Sequence, residues 1–91
     1  MTEIKRRHLV IHGRVQGIYF RGSIRHAAIG AGVTGWARNL RGGSVEVVLE
    51  GPPEAVAGVE SFCRTGLTRA RIESVDASDQ SPQGLGGFEV R

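Results

Sequence analysis

Apolar residues recur along this chain with two periods, one of two residues and one near 3.6, and their order predicts the fold. His8-Leu9-Val10-Ile11-His12-Gly13 alternates and is rich in β-branched side chains, so it predicts a strand with Leu9 and Ile11 on one face and His8, Val10 and His12 on the other. From Phe20 the period lengthens. Phe20, Ile24, Ala27, Ala28 and Ala31 share one helical face, and Gly30 with Gly32 supply a stop. Gly22 falls in the first turn of that helix at a cost of up to about 1 kcal/mol against alanine, and the sequence offers no reason for it.

Residues 34–40 and 44–50 predict two more strands, joined through Arg41-Gly42-Gly43. A two-residue Gly-Gly loop would set Arg38 opposite Val47 on the apolar face. A three-residue loop with a glycine in the left-handed region sets Ala37 opposite Val47 and Asn39 opposite Val45. The second register is preferred because it buries no arginine. Gly51-Pro52-Pro53 then breaks the chain, and Pro53 suits the first turn of a second helix with Glu54 near its positive end. That helix runs to about Arg64, turns Val56, Val59 and then Phe62 or Cys63 inward, and is capped by Gly66. Residues 70–76 predict a strand, although Ile72 and Val75 are out of phase, which implies a bulge. Residues 81–87 read as a loop and Phe88-Glu89-Val90 as a short last strand.

This order, β-α-β-β-α-β plus a terminal strand, predicts an α+β chain: a ferredoxin-like sandwich, with two helices on one face of an antiparallel sheet and a short fifth strand. Right-handed crossovers place the first and second strands parallel with the third between them. The end of the first strand, the start of the first helix and the end of the second strand then share one edge. Two strand spacings are only about 9–10 Å. Asn39 is therefore expected to stand across from Arg21, with room between them for a phosphoryl group and a water.

The 91 residues make one expected domain, 1–91, able to bury roughly 60–70% of its unfolded surface without metal or disulfide staples. The single cysteine, Cys63, excludes an internal disulfide and reads as a small core residue, since no histidine stands near it to make it a nucleophile. No metal-ligand spacing is present. His8 and His12 would sit ~13 Å apart on a strand, too far for one ion. No signal segment or membrane span is legible, so a cytoplasmic protein with no membrane partner is expected.

The net charge of +3 is unevenly distributed. Residues 1–45 carry eight basic side chains against one acid, and residues 46–91 four against eight. The positive half raises the local potential for an anionic ligand, nucleic acid included, although a solvated surface fits the same counts. In that half, Gly13-Arg14-Val15-Gln16-Gly17-Ile18-Tyr19-Phe20-Arg21 leaves a strand and enters a helix. Such a loop can turn backbone N–H groups toward one anion, with the helix dipole behind them. Arg21 could grip two phosphoryl oxygens at once. An ordinary strand-to-helix turn with an exposed arginine would use the same residues.

Two motifs together narrow the choice. Residues 13–21 resemble the G-x-V-Q-G-V-x-F-R loop of the acylphosphatase family, and Gly35-Trp36-Ala37-Arg38-Asn39-Leu40 its G-W-V-x-N strand. The likeness continues through Gly43-Ser44-Val45, Glu50-Gly51-Pro52, Ala70-Arg71-Ile72 and Phe88-Glu89-Val90, covering residues 5–90. It implies metal-independent hydrolysis of acyl phosphates to carboxylate and inorganic phosphate, with no cofactor. The resemblance assigns phosphoryl binding to Arg21 with the loop backbone (Val15, Gln16, Gly17, Ile18, Tyr19, Phe20), and orientation of the attacking water to Asn39. Ala37 in place of the usual valine, Gly22, and leucine after Asn39 depart from the pattern without touching the two matched side chains.

Three functions are compatible with these features: a free-standing acylphosphatase, an accessory module for a carbamoyl-phosphate-like ligand, and an RNA-binding domain of the same fold. A chain ending at Arg91 without zinc-type cysteines favours the first. The RNA reading expects exposed aromatics on the central strands, where this chain has His8, Val10, His12, Glu46, Val48 and Glu50. The expected partners are therefore a small-molecule acyl phosphate and inorganic phosphate, with no nucleic acid, for a monomer.

Overall fold

Seven elements follow one another: β1 (Lys5–Arg14), α1 (Phe20–Ala31), β2 (Thr34–Asn39), β3 (Val45–Gly51), α2 (Pro53–Thr65), β4 (Arg71–Gln80) and β5 (Phe88–Val90). The computed structural model describes residues 3–91, so the first two positions of the expected 1–91 domain lie outside the described residues. The strands form one sheet in the order β4-β1-β3-β2-β5. Four of them make the antiparallel ferredoxin-like core, and β5 joins the free edge of β2 in parallel, with Gly35 opposite Phe88 and Ala37 opposite Val90.

The core lies between one sheet face and the two helices. Leu9 and Ile11 of β1, Val45, Val47 and Leu49 of β3, and Ala37 of β2 meet Phe20, Ile24 and Ala28 of α1 and Val56, Val59 and Cys63 of α2. The helical residues recur at three or four positions, so each helix presents one apolar stripe. At the open alternative in α2 it is Cys63 that is buried, with Phe62 packed at the margin. Gly32 adopts the left-handed conformation that ends α1, and its N–H reaches the Ala28 and Ile29 carbonyls.

The β2–β3 hairpin takes the register with the three-residue loop. Ala37 pairs with Val47, Arg38 with Glu46 and Asn39 with Val45, while the Leu40 N–H donates to Ser44 O at 2.8 Å. Cross-strand partners share a face, so Asn39 follows Ala37 and Val45 onto the helix side, at the open end of the strand.

The bulge expected near Ile72 and Val75 is present. Ser74 pairs with His12 but Ile72 with Gly13, which leaves Glu73 without a partner and returns both apolar residues to the core side. Gly13 meets the bulge with φ +133°, where an added Cβ would lie 2.0 Å from the Arg71 carbonyl oxygen; only glycine lets the two backbones approach there.

β4 continues past the alternating stretch to Gln80, through residues with no apolar pattern. Side chains from β1 support this extension: Arg6 Nε donates to Gln80 at 2.8 Å and Arg7 Nη1 to Asp79 at 3.0 Å. Arg6 also pairs with Glu50 at 2.7 Å, both groups buried. Among the described residues no helix is long and apolar enough to cross a membrane.

Candidate active site

β1 delivers the chain into the 13–21 loop, and side chains on both sides of that loop fix its path. Val15 and Phe20 are buried and Ile18 packs against the same core. Between these anchors Gly17 adopts φ +79° and Tyr19 φ +61°. The second angle places a tyrosine in the left-handed region, at a cost of roughly 1–2 kcal/mol for an L-residue. Two bonds hold it there, from the Ser23 N–H (3.0 Å) and the Ser23 hydroxyl (2.8 Å) to the Tyr19 carbonyl. Among the described residues, no backbone N–H from Gln16 to Tyr19 donates to a protein carbonyl. The loop therefore offers several unpaired donors just ahead of a helix N-terminus, the arrangement that suits an anion.

A cleft of about 470 Å³ opens beside this loop, lined by Val15, Gly17, Tyr19, Phe20, Arg21, Gly22, Arg25, Asn39 and Val90. Arg21 and Asn39, expected to face one another from α1 and β2, thus line the same cavity. Gln16 and Ile18 do not line it. The Ile18 side chain belongs to the core margin, and Gln16 turns to the hairpin, where its Nε2 donates to Leu40 O at 2.8 Å and Ser44 O at 2.9 Å. These bonds tie the loop to the residue next to Asn39.

A second tie runs through the end of the chain. The Arg21 guanidinium donates through Nη1 to the main-chain carbonyl of Arg91, and the Arg91 N–H donates to Ala37 O at 2.8 Å. Arg21 is thereby joined through one residue to the strand that carries Asn39. Arg25, one helical turn after Arg21, donates through Nε to Phe88 O at 3.3 Å, so the two arginines of this face of α1 bond to the backbone at the start of β5 and just beyond its end. The Arg91 side chain lies over the Trp36 ring, 4.7 Å from its centroid. Motif reasoning from the sequence identified Arg21 and Asn39 of the cleft but missed Arg25 in its lining, the Gln16 side chain and the backbone of residues 88–91. The one available signal was the four-residue spacing of Arg21 and Arg25.

Electrostatically the cleft is one-sided. Its lining contains two arginines and no acid. Lys5, Arg6, Arg7 and Arg38 are all engaged by carboxylates, whereas among the described residues Arg14, Arg21, Arg25 and Arg41 make no ion pair. The unneutralised charge of the N-terminal half thus gathers at the loop end of the sheet. A second basic cleft of about 500 Å³ lies at that end, lined by His12, Arg14, Arg41, Ser44 and Glu73 with the intervening glycines. It holds neither Arg21 nor Asn39.

Other titratable candidates are occupied elsewhere. His8 contacts Glu46 at 2.6 Å and His12 contacts Asp76 at 3.0 Å, so the two rings have separate partners. Among the described residues no three metal-ligating side chains converge. Burial pushes the Cys63 thiol up to about 12, with the Glu60 charge adding to the effect; it is a packing residue. Glu50 is 2% exposed. Burial alone would raise its pKa, but the N–H groups of Gln83, Gly84 and Leu85 together with Arg6 outweigh that and hold it below the usual carboxylate range. Glu50 thus fastens the loop that leads into β5.

Comparisons with known proteins follow the same geometry. A family model described as Acylphosphatase matches residues 7–90. A curated acylphosphatase from Natronomonas pharaonis is 47% identical over 91 residues, covering 100% of this chain and 99% of its own length. One from Haloarcula marismortui is 45% identical over 86 residues, 94% of each. Among solved structures, an acylphosphatase from Coxiella burnetii superposes with a TM-score of 0.90 at 30% identity, covering 97% of this chain and 93% of that one.

Proposed function

The chain belongs to the acylphosphatase family, and from that premise we propose that it hydrolyses the carboxyl-phosphate bond of acyl phosphates, without a metal, in the cleft between the 13–21 loop and the end of β2. Arg21 holds the phosphoryl oxygens with the loop backbone: the N–H groups of Val15, Gly17, Tyr19 and Phe20, which line the cleft, and those of Gln16 and Ile18, whose side chains turn away from it. Asn39 orients the attacking water through its side-chain amide.

In the reaction the water oxygen bonds to phosphorus as the phosphorus–acyl oxygen bond breaks. The acyl part departs as a carboxylate carrying the bonding electron pair, and the proton lost by the water goes to a phosphate oxygen. A carboxylate is a good leaving group and needs no general acid. A loose phosphoryl transition state asks mainly for positioning and for charge opposite its equatorial oxygens. Asparagine cannot accept the water's proton at neutral pH, which is why the phosphate itself serves as acceptor.

The observation that carries this reading is that Arg21 and Asn39 line one cleft together with the loop, while Gln16 and the Arg91 backbone tie the two sides of that cleft to each other. Acids on the helix-free sheet face, Glu46 and Asp76 among them, speak against a nucleic-acid partner there. The test is benzoyl phosphate hydrolysis in excess chelator. Wild-type turnover should be unaffected by the chelator and competitively inhibited by phosphate. Arg21→Gln and Asn39→Ala should each lose about 100-fold or more in kcat/KM, the scale for removing one transition-state donor. Wild-type turnover no faster than buffer would overturn the proposal, as would full activity in both variants.

A further inference from the structure

Two features of the loop remain unexplained by phosphate binding: a tyrosine in a strained backbone conformation, and a glycine inside the first turn of α1. They belong together. Tyr19 is the one non-glycine residue with positive φ among those described, and the residue is 78% exposed. A methyl group at Gly22 would lie 2.5 Å from the Tyr19 ring, so the ring rests on the bare backbone of α1 in the space that any other residue at 22 would fill. For backbone reasons alone, glycine or asparagine would suit position 19 better. The chain instead keeps a large aromatic ring there and gives up helix propensity at Gly22 to seat it.

Tyr19 lines the candidate cleft, and of the other apolar residues there Val15 and Phe20 are buried while Val90 is 42% exposed. Where the phosphoryl group is held by the loop and Arg21, the acyl part of the same molecule must leave toward solvent. Resting on the hydrolase reading given above, we infer that the Tyr19 ring, with Val90, forms an apolar wall for the acyl group and selects acyl phosphates whose acyl part is aromatic. A flat acyl group stacks on the ring in offset fashion. A small one gains little from it, so discrimination arises from contact with the acyl part and not from the phosphoryl chemistry.

The experiment compares kcat/KM for benzoyl phosphate and acetyl phosphate in the wild type, Tyr19→Phe, Tyr19→Gly and Gly22→Ala. Tyr19→Gly relieves the backbone strain and should not lower the melting temperature, so loss of fold does not obscure the readout. The benzoyl-to-acetyl ratio should fall about tenfold in Tyr19→Gly, mainly through KM, the size expected for one apolar contact. Tyr19→Phe should keep the ratio, and Gly22→Ala, which displaces the ring, should lower it. A wild type that hydrolyses both substrates with a ratio unmoved by Tyr19→Gly would overturn this inference alone. A wild type inert toward both would overturn the hydrolase reading, and this inference with it.

Discussion

Arg21 and Asn39 are single side chains whose value depends on where the backbone puts them, and the residue that does most to relate them is Gln16. Its amide supplies both bonds from the loop to the hairpin. Replacing it with alanine leaves the Leu40 carbonyl with no bond from the loop and loosens the cleft. Gln16→Ala should cost about 1–2 kcal/mol of stability, read by urea unfolding. It should also reduce kcat/KM for benzoyl phosphate tenfold or more, since small misplacements of positioning groups are expensive. An unchanged kcat/KM would remove Gln16 from the positioning of the cleft. The two catalytic candidates were legible in the sequence because each sits in a local motif. The Gln16 side chain and the Arg91 carbonyl were not, because their partners are 24 to 70 residues distant and nothing local marks the pairing.

At the level of elements, alternation and turn chemistry gave the helices, the hairpin register and the bulge, each of which depends on neighbours in sequence or on one apolar face. The polar end of β4 and the role of β5 escaped, since these are held by distant side chains. β5 depends on Glu50, whose carboxylate collects three backbone N–H groups of the preceding loop and pairs with Arg6. Its folded pKa lies below the ordinary value of 4.5. In acid the unfolded chain therefore binds the proton more readily than the folded one. The stabilisation is present above about pH 4.5 and is lost as pH falls through the folded pKa. Glu50→Gln should cost about 3 kcal/mol or more near pH 7, where it breaks a buried pair. The difference from wild type should shrink as pH is lowered past that point, followed by chemical denaturation at a series of pH values. A difference independent of pH would show that the charge of Glu50 does not hold the loop.

Across the whole molecule, fold and charge act toward one end of the sheet. Half of the N-terminal basic residues are consumed by ion pairs, and those left free flank the loop, where two clefts compete for an anion: one with Arg21 and Asn39, the other with Arg14 and Arg41. The asymmetry of charge was visible in the sequence, but which cations remain free was not, because pairing is decided by the sheet register. The most direct measurement of the central claim is a titration of isotope-labelled protein with inorganic phosphate, followed by amide and arginine side-chain NMR shifts. The account predicts saturable shifts concentrated on the amides of residues 15–20, the Arg21 side chain and the Asn39 side-chain amide, abolished in Arg21→Gln. Shifts centred instead on Arg14, Arg41 and Ser44, and surviving that substitution, would contradict it.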